Sequence, residues 1–483
     1  MNLQYNIELN DNQIPFFEAV SKNKIVVDSG TWRSGKSFEL CLFAIQRMAK
    51  YHGIRQFMGR KTLTSLKETT FLKFQEVLTN GKDYERSEKY GRDIYNGFGL
   101  DEDKDFIVNR SGKPTITFPN GSVCVFGDLD INNIGKWLSA EYSDILIDEA
   151  QEITKLAFEK IKSRQTQKII QNQSNGTRES KFLMGMNPPE CADQHWAHEK
   201  FRSENKIKNS HIIYSELTKN KDNLPDNYIE EMYDSVDKRT ADIYLKGLWV
   251  PINTNVVYAD YLFPQDDQGN YIDGGNIKSM EYNPHLETFF SMDFGWTHDM
   301  SIGFWQYDRN RDEFYRLYEF VANHVKPYNY CELLAGKKIT HNGKDHQFPC
   351  SAQGCKIITG SEVKQSRQEA DGFNNKSLME KHLKSMGINP DIRVVSPGVV
   401  KSVQNVRSHI LTASGKRRIF IHPRCKRFIQ DSTVYHYQVD KENKVIGEIP
   451  LDDGITDHTQ DETRYFIWFV KPIRNGRVWS SSR

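Results

Sequence analysis

The chain has no apolar run approaching the ~18 residues that a membrane-spanning helix needs. Its first residues, Met1-Asn2-Leu3-Gln4-Tyr5, show no basic stretch leading into an apolar core, so neither a membrane span nor an export signal is expected. Paired cysteines are missing too. The seven present are scattered, without the framework of a disulfide-stapled secreted domain. Cys350 and Cys355, with His341 and His346 upstream, form one zinc-like grouping, but no second cysteine pair supports it, and reduced thiols are the expectation. Charge bias is absent as well: 65 basic against 64 acidic side chains leave a net charge of +1, so any surface for nucleic acid has to be local. Internal repeats and long low-complexity tracts are lacking, which excludes solenoid and fibrous architectures. The expectation that remains is a soluble cytoplasmic protein of 483 residues, enough for roughly two to four domains with sizeable cores.

The most informative feature present is Gly30-Thr31-Trp32-Arg33-Ser34-Gly35-Lys36-Ser37, a complete G-x-x-x-x-G-K-S pattern. The apolar run Ile25-Val26-Val27 precedes it and a helix-like segment, Phe38 to Lys50, follows, which is the strand–loop–helix setting in which such a loop works. Gly30 and Gly35 let the backbone wrap closely around phosphate oxygens, and the helix dipole adds favourable charge there. Lys36 is placed to reach the β- and γ-phosphates and Ser37 to ligate Mg²⁺, which predicts binding of a nucleoside triphosphate.

Short β-branched runs (Ile54 to Met58, Thr115 to Phe118, Val123 to Phe126, Ile145 to Ile147) alternate with helical stretches up to residue 150. This rhythm predicts an α/β nucleotide-binding domain with a largely parallel sheet over residues 1–250. Residues 251–282, rich in Asn, Asp, Gly and Pro, are expected as a connection. A second α/β pattern occupies 283–470, opening with the strand Thr288 to Asp293 and an antiparallel hairpin, and ending in a helix from Asp457 to about Phe469. Residues 471–483 read as a basic, Ser-rich tail.

In the first domain, Ile145-Leu146-Ile147-Asp148-Glu149 is an apolar strand ending in two acids. In P-loop ATPases the first acid holds Mg²⁺ through water and the second polarises the water that attacks the γ-phosphate. Asn187, after the run Phe182 to Met186, is a candidate γ-phosphate sensor, and Gln13 a candidate for the adenine edge. Arg33, inside the loop, is placed to stabilise transition-state charge in cis, with Arg60 and Arg164 as alternatives.

In the second domain, Asp293 ends the first strand, with Gly295 and Asp299 following. An acid there, before a hairpin, is where RNase H-type nucleases place their central metal ligand. Asp457 and Asp461, four apart, share one face of the last helix. Carboxylates suit Mg²⁺ or Mn²⁺, and such ions activate water against a phosphodiester. Residues 401–427 hold eight Lys or Arg, among them Lys401, Arg407, Lys416, Arg417 and Arg418, and no acid, so they are candidates for DNA phosphates.

Taken together, these motifs resemble the large terminase subunit of tailed bacteriophages, from about Gln13 to Tyr465. The marks are the phosphate loop, Phe126-Gly127-Asp128-Leu129-Asp130 through Gly135, Ile147-Asp148-Glu149-Ala150, Asn187-Pro188 with His195-Trp196, Tyr244 to Trp249, Asp293-Phe294-Gly295 and Asp457-His458-Thr459-Gln460-Asp461. The resemblance implies an N-terminal RecA-like P-loop ATPase and a C-terminal RNase H-like nuclease. It implies ATP and Mg²⁺ at Lys36 and Ser37, Glu149 as catalytic base, Asn187 as coupling residue, and Asp293 and Asp461, with Asp457 and His458 nearby, as nuclease ligands. It further implies double-stranded DNA, a portal protein and a small terminase subunit as partners, and a homo-oligomeric ring. The place of action it implies is the host cytoplasm, transiently on the procapsid portal, and not the mature virion.

One position departs from the family pattern. Ser361 stands where a middle aspartate is usual, in Ile357-Ile358-Thr359-Gly360-Ser361-Glu362. Successive strand residues face opposite sides, so Glu362 serves as ligand only if the strand has ended or bulged there; Asp371 is a more distant substitute. Two other readings stay open: a helicase-like or repair ATPase fused to a nuclease, and an ATP-regulated DNA-tethering protein with an impaired nuclease.

Overall fold

The computed structural model describes residues 7–80, 97–170, 177–190, 192, 194–250, 255–295, 298–364, 374–440 and 445–473. Asp371 and the tail beyond 473 lie outside the described residues. The chain divides into two compact units, one of Met1–Tyr228 with Asp242–Pro251, the other of Ile229–Ala241 with Ile252–Arg483. Of residues 251–282, expected as a connection, the described part from 255 onward buries Val257, Tyr258 and Ile277 in the core of the second unit. Composition alone missed this because a few large apolar side chains anchor an otherwise polar stretch.

In the first unit the apolar runs fold as β1 (Ile25–Ser29), β2 (Arg55–Arg60), β3 (Ile107–Asn109), β4 (Thr115–Thr117), β5 (Val123–Asp128), β6 (Asp144–Ile147), β9 (Phe182–Met186) and β10 (Ser210–Ile213). A separate two-stranded ladder, β7 (Ile169–Ile170) and β8 (Thr177–Arg178), lies between β6 and β9 in the chain. The sheet order is β10-β1-β9-β6-β2-β5-β4-β3, parallel from β10 to β5 and antiparallel through β4 and β3. β1 is buried along its whole length because both faces are covered. Val26 joins one cluster with Phe16, Leu40 and Phe74; Ile25 and Val27 join another with Phe158 and Trp196. Since β9 lies between β1 and β6, the carboxyl ends of these three strands are side by side, where open α/β sheets bind ligands.

The second unit is built on β11 (Glu287–Asp293), β12 (Met300–Asp308), β13 (Glu313–Ala322), β16 (Lys356–Thr359), β17 (Asp391–Val394) and β18 (Ile419–Ile421), in the order β17-β16-β11-β12-β13-β18. β14 (Ile339–His341) and β15 (Lys344–His346) form a small hairpin apart from it. β11, β12 and β13 make an antiparallel meander, and β16 joins β11 in parallel. The helix Asp457–Val470 packs across the sheet through Phe466, whose ring stacks on Trp305 at 4.7 Å. Asp293 and the turn after Thr359 therefore emerge next to each other, beneath the start of that helix. Among the described residues no helix is long and apolar enough to cross a membrane.

Candidate active sites

Gly35 is the pivot of the phosphate loop. Its φ of +101° is accessible to glycine at little cost, and it caps the helix Lys36–Lys50. Lys36 is buried, and its Nζ folds back to donate to Thr31 O at 2.5 Å, Ser34 Oγ at 3.2 Å and Asn187 Oδ1 at 3.1 Å. All three ammonium protons thus have partners before any phosphate arrives. Ser37 Oγ lies 3.0 Å from both oxygens of Asp148, and Thr70 Oγ1 donates to Asp148 Oδ2 at 2.5 Å. A hydroxyl and a carboxylate so close, both hard oxygen donors, fit Mg²⁺.

Glu149 follows at φ +51°, a left-handed conformation that non-glycine residues rarely adopt. Its Oε2 accepts Gln151 Nε2 at 2.5 Å and Asn187 Nδ2 at 3.3 Å. Burial and the charge of Asp148 push its carboxyl above the ordinary range, opposed by Lys36 and the bond from Gln151. That suits a general base working nearer neutrality.

Gln13 is buried against Gly35, its Oε1 accepting Asn10 N at 2.9 Å. Ser34 O is held by Asn12 Nδ2 at 3.1 Å, and Gly30 has no room for a β-carbon against Ser215. Arg33 is exposed, with φ +56°. Arg60 lies 3.6 Å from Glu152 and bonds Thr69, close enough to Glu149 to lower its pKa. Arg164 instead donates to Leu138 O at 3.1 Å and is committed to structure.

In the second unit, Asp293 Oδ2 accepts from His458 Nδ1 at 2.5 Å. β16 ends at Thr359, and Ser361–Lys364 form a short 3-10 turn, so Glu362 is free of strand alternation. Its carboxyl hydrogen-bonds Asp293 and faces the backbone N–H groups of Glu362 and Gly360. Burial first, then the charges of Asp461 and Glu362, push Asp293 up to about 8, against the pull of His458. Burial alone would lower His458, but the bond to Asp293 and the charges of Asp457 and Asp461 lift it to about 9. Asp457 is raised to about 6, by burial and then by the hydrogen bond its protonated carboxyl donates to Asp452.

Among the described residues no three His, Cys, Asp or Glu are arranged to hold a metal ion as they stand. Arg464 engages Asp461, and His458 engages Asp293. The donor chemistry nevertheless fits a hard divalent cation. Glu362 Oε1, Asp457 Oδ1 and His458 Nε2 are buried without partners, in a cluster where carboxylates crowd one another. Asp299 is paired with Arg427 at 3.1 Å. The six described cysteines are free thiols.

Much of the basic run of 401–427, expected to contact DNA, is engaged by groups distant in the sequence. Arg407 is buried in an ion pair with Asp237 at 2.8 Å. Arg417 donates to Asp260 O at 2.8 Å and to Asn276, while Arg418 bonds Asp234 O at 2.9 Å and faces Asp312 at 3.3 Å. Lys416 pairs with Asp234 but stays exposed, as does Lys401.

Sequence reasoning missed three contributors to the first site: Gln151, Thr70, and Trp32, whose ring stacks on Tyr244 at 4.4 Å. Gln151 alone had a usable signal, its place just after Asp148-Glu149.

No family model matches the chain, and no curated protein matches it. Among solved structures, the large terminase of a thermophilic bacteriophage shares the fold along its length, with a TM-score of 0.60, 15% identity, and 96% of this chain and 99% of that one covered. The same terminase in complex with ADP gives a TM-score of 0.59 at 15% identity, covering 96% of this chain and 99% of that one. In complex with ATP-gamma-S it gives 0.57 at 15% identity, covering 95% and 99%. The fold is α/β, with a largely parallel sheet in the first unit and a mixed sheet in the second, and it is shared with that terminase along the chain.

Proposed function

We propose that the chain is a large terminase subunit, in which ATP hydrolysis by the first unit drives double-stranded DNA through a portal into a procapsid. In this reading the second unit is a divalent-metal-dependent endonuclease that cuts concatemeric DNA into genome ends. The observation that carries it is the linkage of Lys36, Asn187 and Glu149 at the ends of three adjacent parallel strands. The fold shared with the thermophilic phage terminase along the chain's length supports the pairing of such a motor with a nuclease.

An incoming γ-phosphate draws Lys36 Nζ away from Thr31 O and Asn187 Oδ1, replacing neutral acceptors with a charged one. Glu149 takes the proton of the attacking water, and Arg33 meets the charge that develops on the γ-phosphate. Ser37 and Asp148 are the residues that would hold Mg²⁺, which would supply charge neutralisation at the phosphates. In the second unit, Asp293, Glu362 and Asp461, with Asp457 and His458 beside them, would hold Mg²⁺ or Mn²⁺, which would supply water activation and charge for the leaving 3′ oxygen. Lys401 and Lys416, both exposed, are proposed to meet DNA phosphates. Expected partners are the portal, a small terminase subunit and further copies of this chain in a ring, in the host cytoplasm and not in the mature virion.

The test uses the full chain. Lys36→Ala and Glu149→Ala should each abolish ATP hydrolysis, and Asp293→Ala should abolish linearisation of plasmid DNA with Mn²⁺. Retained turnover in either ATPase variant overturns the motor assignment. Failure of the wild-type chain to cut DNA with any divalent metal overturns the nuclease.

A further inference from the structure

Gln151 sits in the short turn Ala150–Glu152, two residues past the base, and its side-chain amide is used at both ends. Nε2 donates to Glu149 Oε2 at 2.5 Å, and Oε1 accepts Asn187 N at 3.1 Å. Only this orientation of the amide satisfies both, because a carboxylate must accept and a backbone N–H must donate. The turn is pinned from behind. His195 Nδ1 accepts Ala197 N at 3.2 Å, so Nε2 carries the proton and donates to Gln151 O at 3.1 Å. Burial keeps that imidazole neutral, consistent with the single proton this geometry allows.

Asn187 is held on two sides as well. Its Oδ1 takes Lys36 Nζ and its Nδ2 reaches Glu149 Oε2, while its backbone N–H is the one gripped by Gln151. A phosphate that captures Lys36 releases one side of Asn187. The displacement then has two routes to the base, one through Nδ2 and one through the backbone and Gln151.

We infer that Gln151 is a positioning residue that makes Glu149 and Asn187 move as one when the γ-phosphate engages Lys36. The inference rests on the ATPase reading of this site and goes beyond it by assigning the relay. Glu149 stands in a strained left-handed conformation, so it needs an external hold to keep its carboxylate aimed, and Gln151 supplies it.

The test compares Gln151→Met and Gln151→Glu in the full chain, measuring ATP-gamma-S affinity alongside kcat and KM for ATP. Glutamate keeps the volume and the bond to Asn187 N but repels Glu149; methionine removes both bonds. Both should keep nucleotide affinity within about twofold and lower kcat roughly 10- to 100-fold with little change in KM, the size expected for a misplaced catalytic group. Near-normal affinity also shows that the variants are folded. Asn187→Ala added to Gln151→Met should cost little more than either alone, because both break one relay. If Gln151→Glu retains wild-type kcat, Gln151 only supports the turn and the inference is wrong. Additive losses in the double variant overturn it as well. A wild-type chain that hydrolyses no ATP overturns the ATPase reading and this inference together.

Discussion

Lys36 and Asn187, from the phosphate loop and from the end of a neighbouring strand, meet at 3.1 Å between Nζ and Oδ1. With Thr31 O and Ser34 Oγ as its other partners, the lysine has a resting place from which a phosphate must recruit it. Asn187→Ala removes one of those partners and the Nδ2 contact to Glu149, without touching the loop. Its expected effect is a loss of roughly 10- to 100-fold in kcat with nucleotide affinity retained. Lys36→Ala should lose the affinity itself. Titration with ATP-gamma-S beside single-turnover hydrolysis separates the two, and an Asn187→Ala chain that binds poorly would contradict this division of roles.

Gly360 leaves the room in which Glu362, one residue late in the chain, meets Asp293. A β-carbon there would lie 2.5 Å from Tyr465 Cζ and closer still to both carboxylate oxygens of Glu362. The glycine has no left-handed φ, so alanine is acceptable to the backbone and the conflict is one of space alone. Gly360→Ala should therefore fold but push the Glu362 carboxylate off Asp293. The expected outcome is weaker Mn²⁺ binding by calorimetry and loss of plasmid cutting, as for Glu362→Ala, with ATP hydrolysis unchanged. Cutting at wild-type rate in Gly360→Ala would show that Glu362 is not a ligand.

Much of both sites was legible because the signals are local. Glycines and Lys36 in a fixed loop, two acids closing an apolar strand, and acids four apart on one helix need only chain geometry to be read. Glu362 was legible as a question, since strand alternation forbade it unless the strand ended, and the strand does end at Thr359, with a 3-10 turn after it. Gln151, Thr70 and the Trp32–Tyr244 stack depend on which strands become neighbours, which the local pattern does not encode. The ion pairs of the basic run were hidden for the same reason: its partner acids, Asp234, Asp237 and Asp312, are all distant in sequence.

His409 gives the second unit an acid-sensitive point away from either site. It is buried, its Nδ1 lies 2.7 Å from Asn405 O, and burial with the nearby charges of Arg418 and Lys471 lowers its pKa to about 4, with Asp312 opposing. The unfolded chain takes up the proton near 6.5 and the folded one only near 4. Stability is therefore complete above 6.5 and is lost as the pH falls from there toward 4, by about 3 kcal/mol at the low end. Urea unfolding at about pH 7.5 and about pH 4.5, near the two ends of that window, should show this loss. His409→Gln should flatten the difference. An equal loss in His409→Gln would assign the acid sensitivity elsewhere.

Arg407 and Lys416 were grouped by sequence as contacts to DNA, and their surroundings predict opposite phenotypes. Arg407 and Asp237 are 7% and 1% exposed and 2.8 Å apart, so Arg407→Ala leaves a carboxylate buried with only Thr240 to satisfy it. Breaking a buried pair on one side costs about 3–5 kcal/mol, and the second unit should unfold at correspondingly lower urea. Lys416 is 60% exposed, and its pair with Asp234 is screened by water and adds little to stability. Lys416→Ala should leave stability unchanged while weakening duplex DNA binding, with the slope of log affinity against log salt reduced by about one. Fluorescence anisotropy across a salt series tests the second claim and urea denaturation the first. Arg407→Ala with wild-type stability and weakened DNA binding would restore the sequence-based grouping.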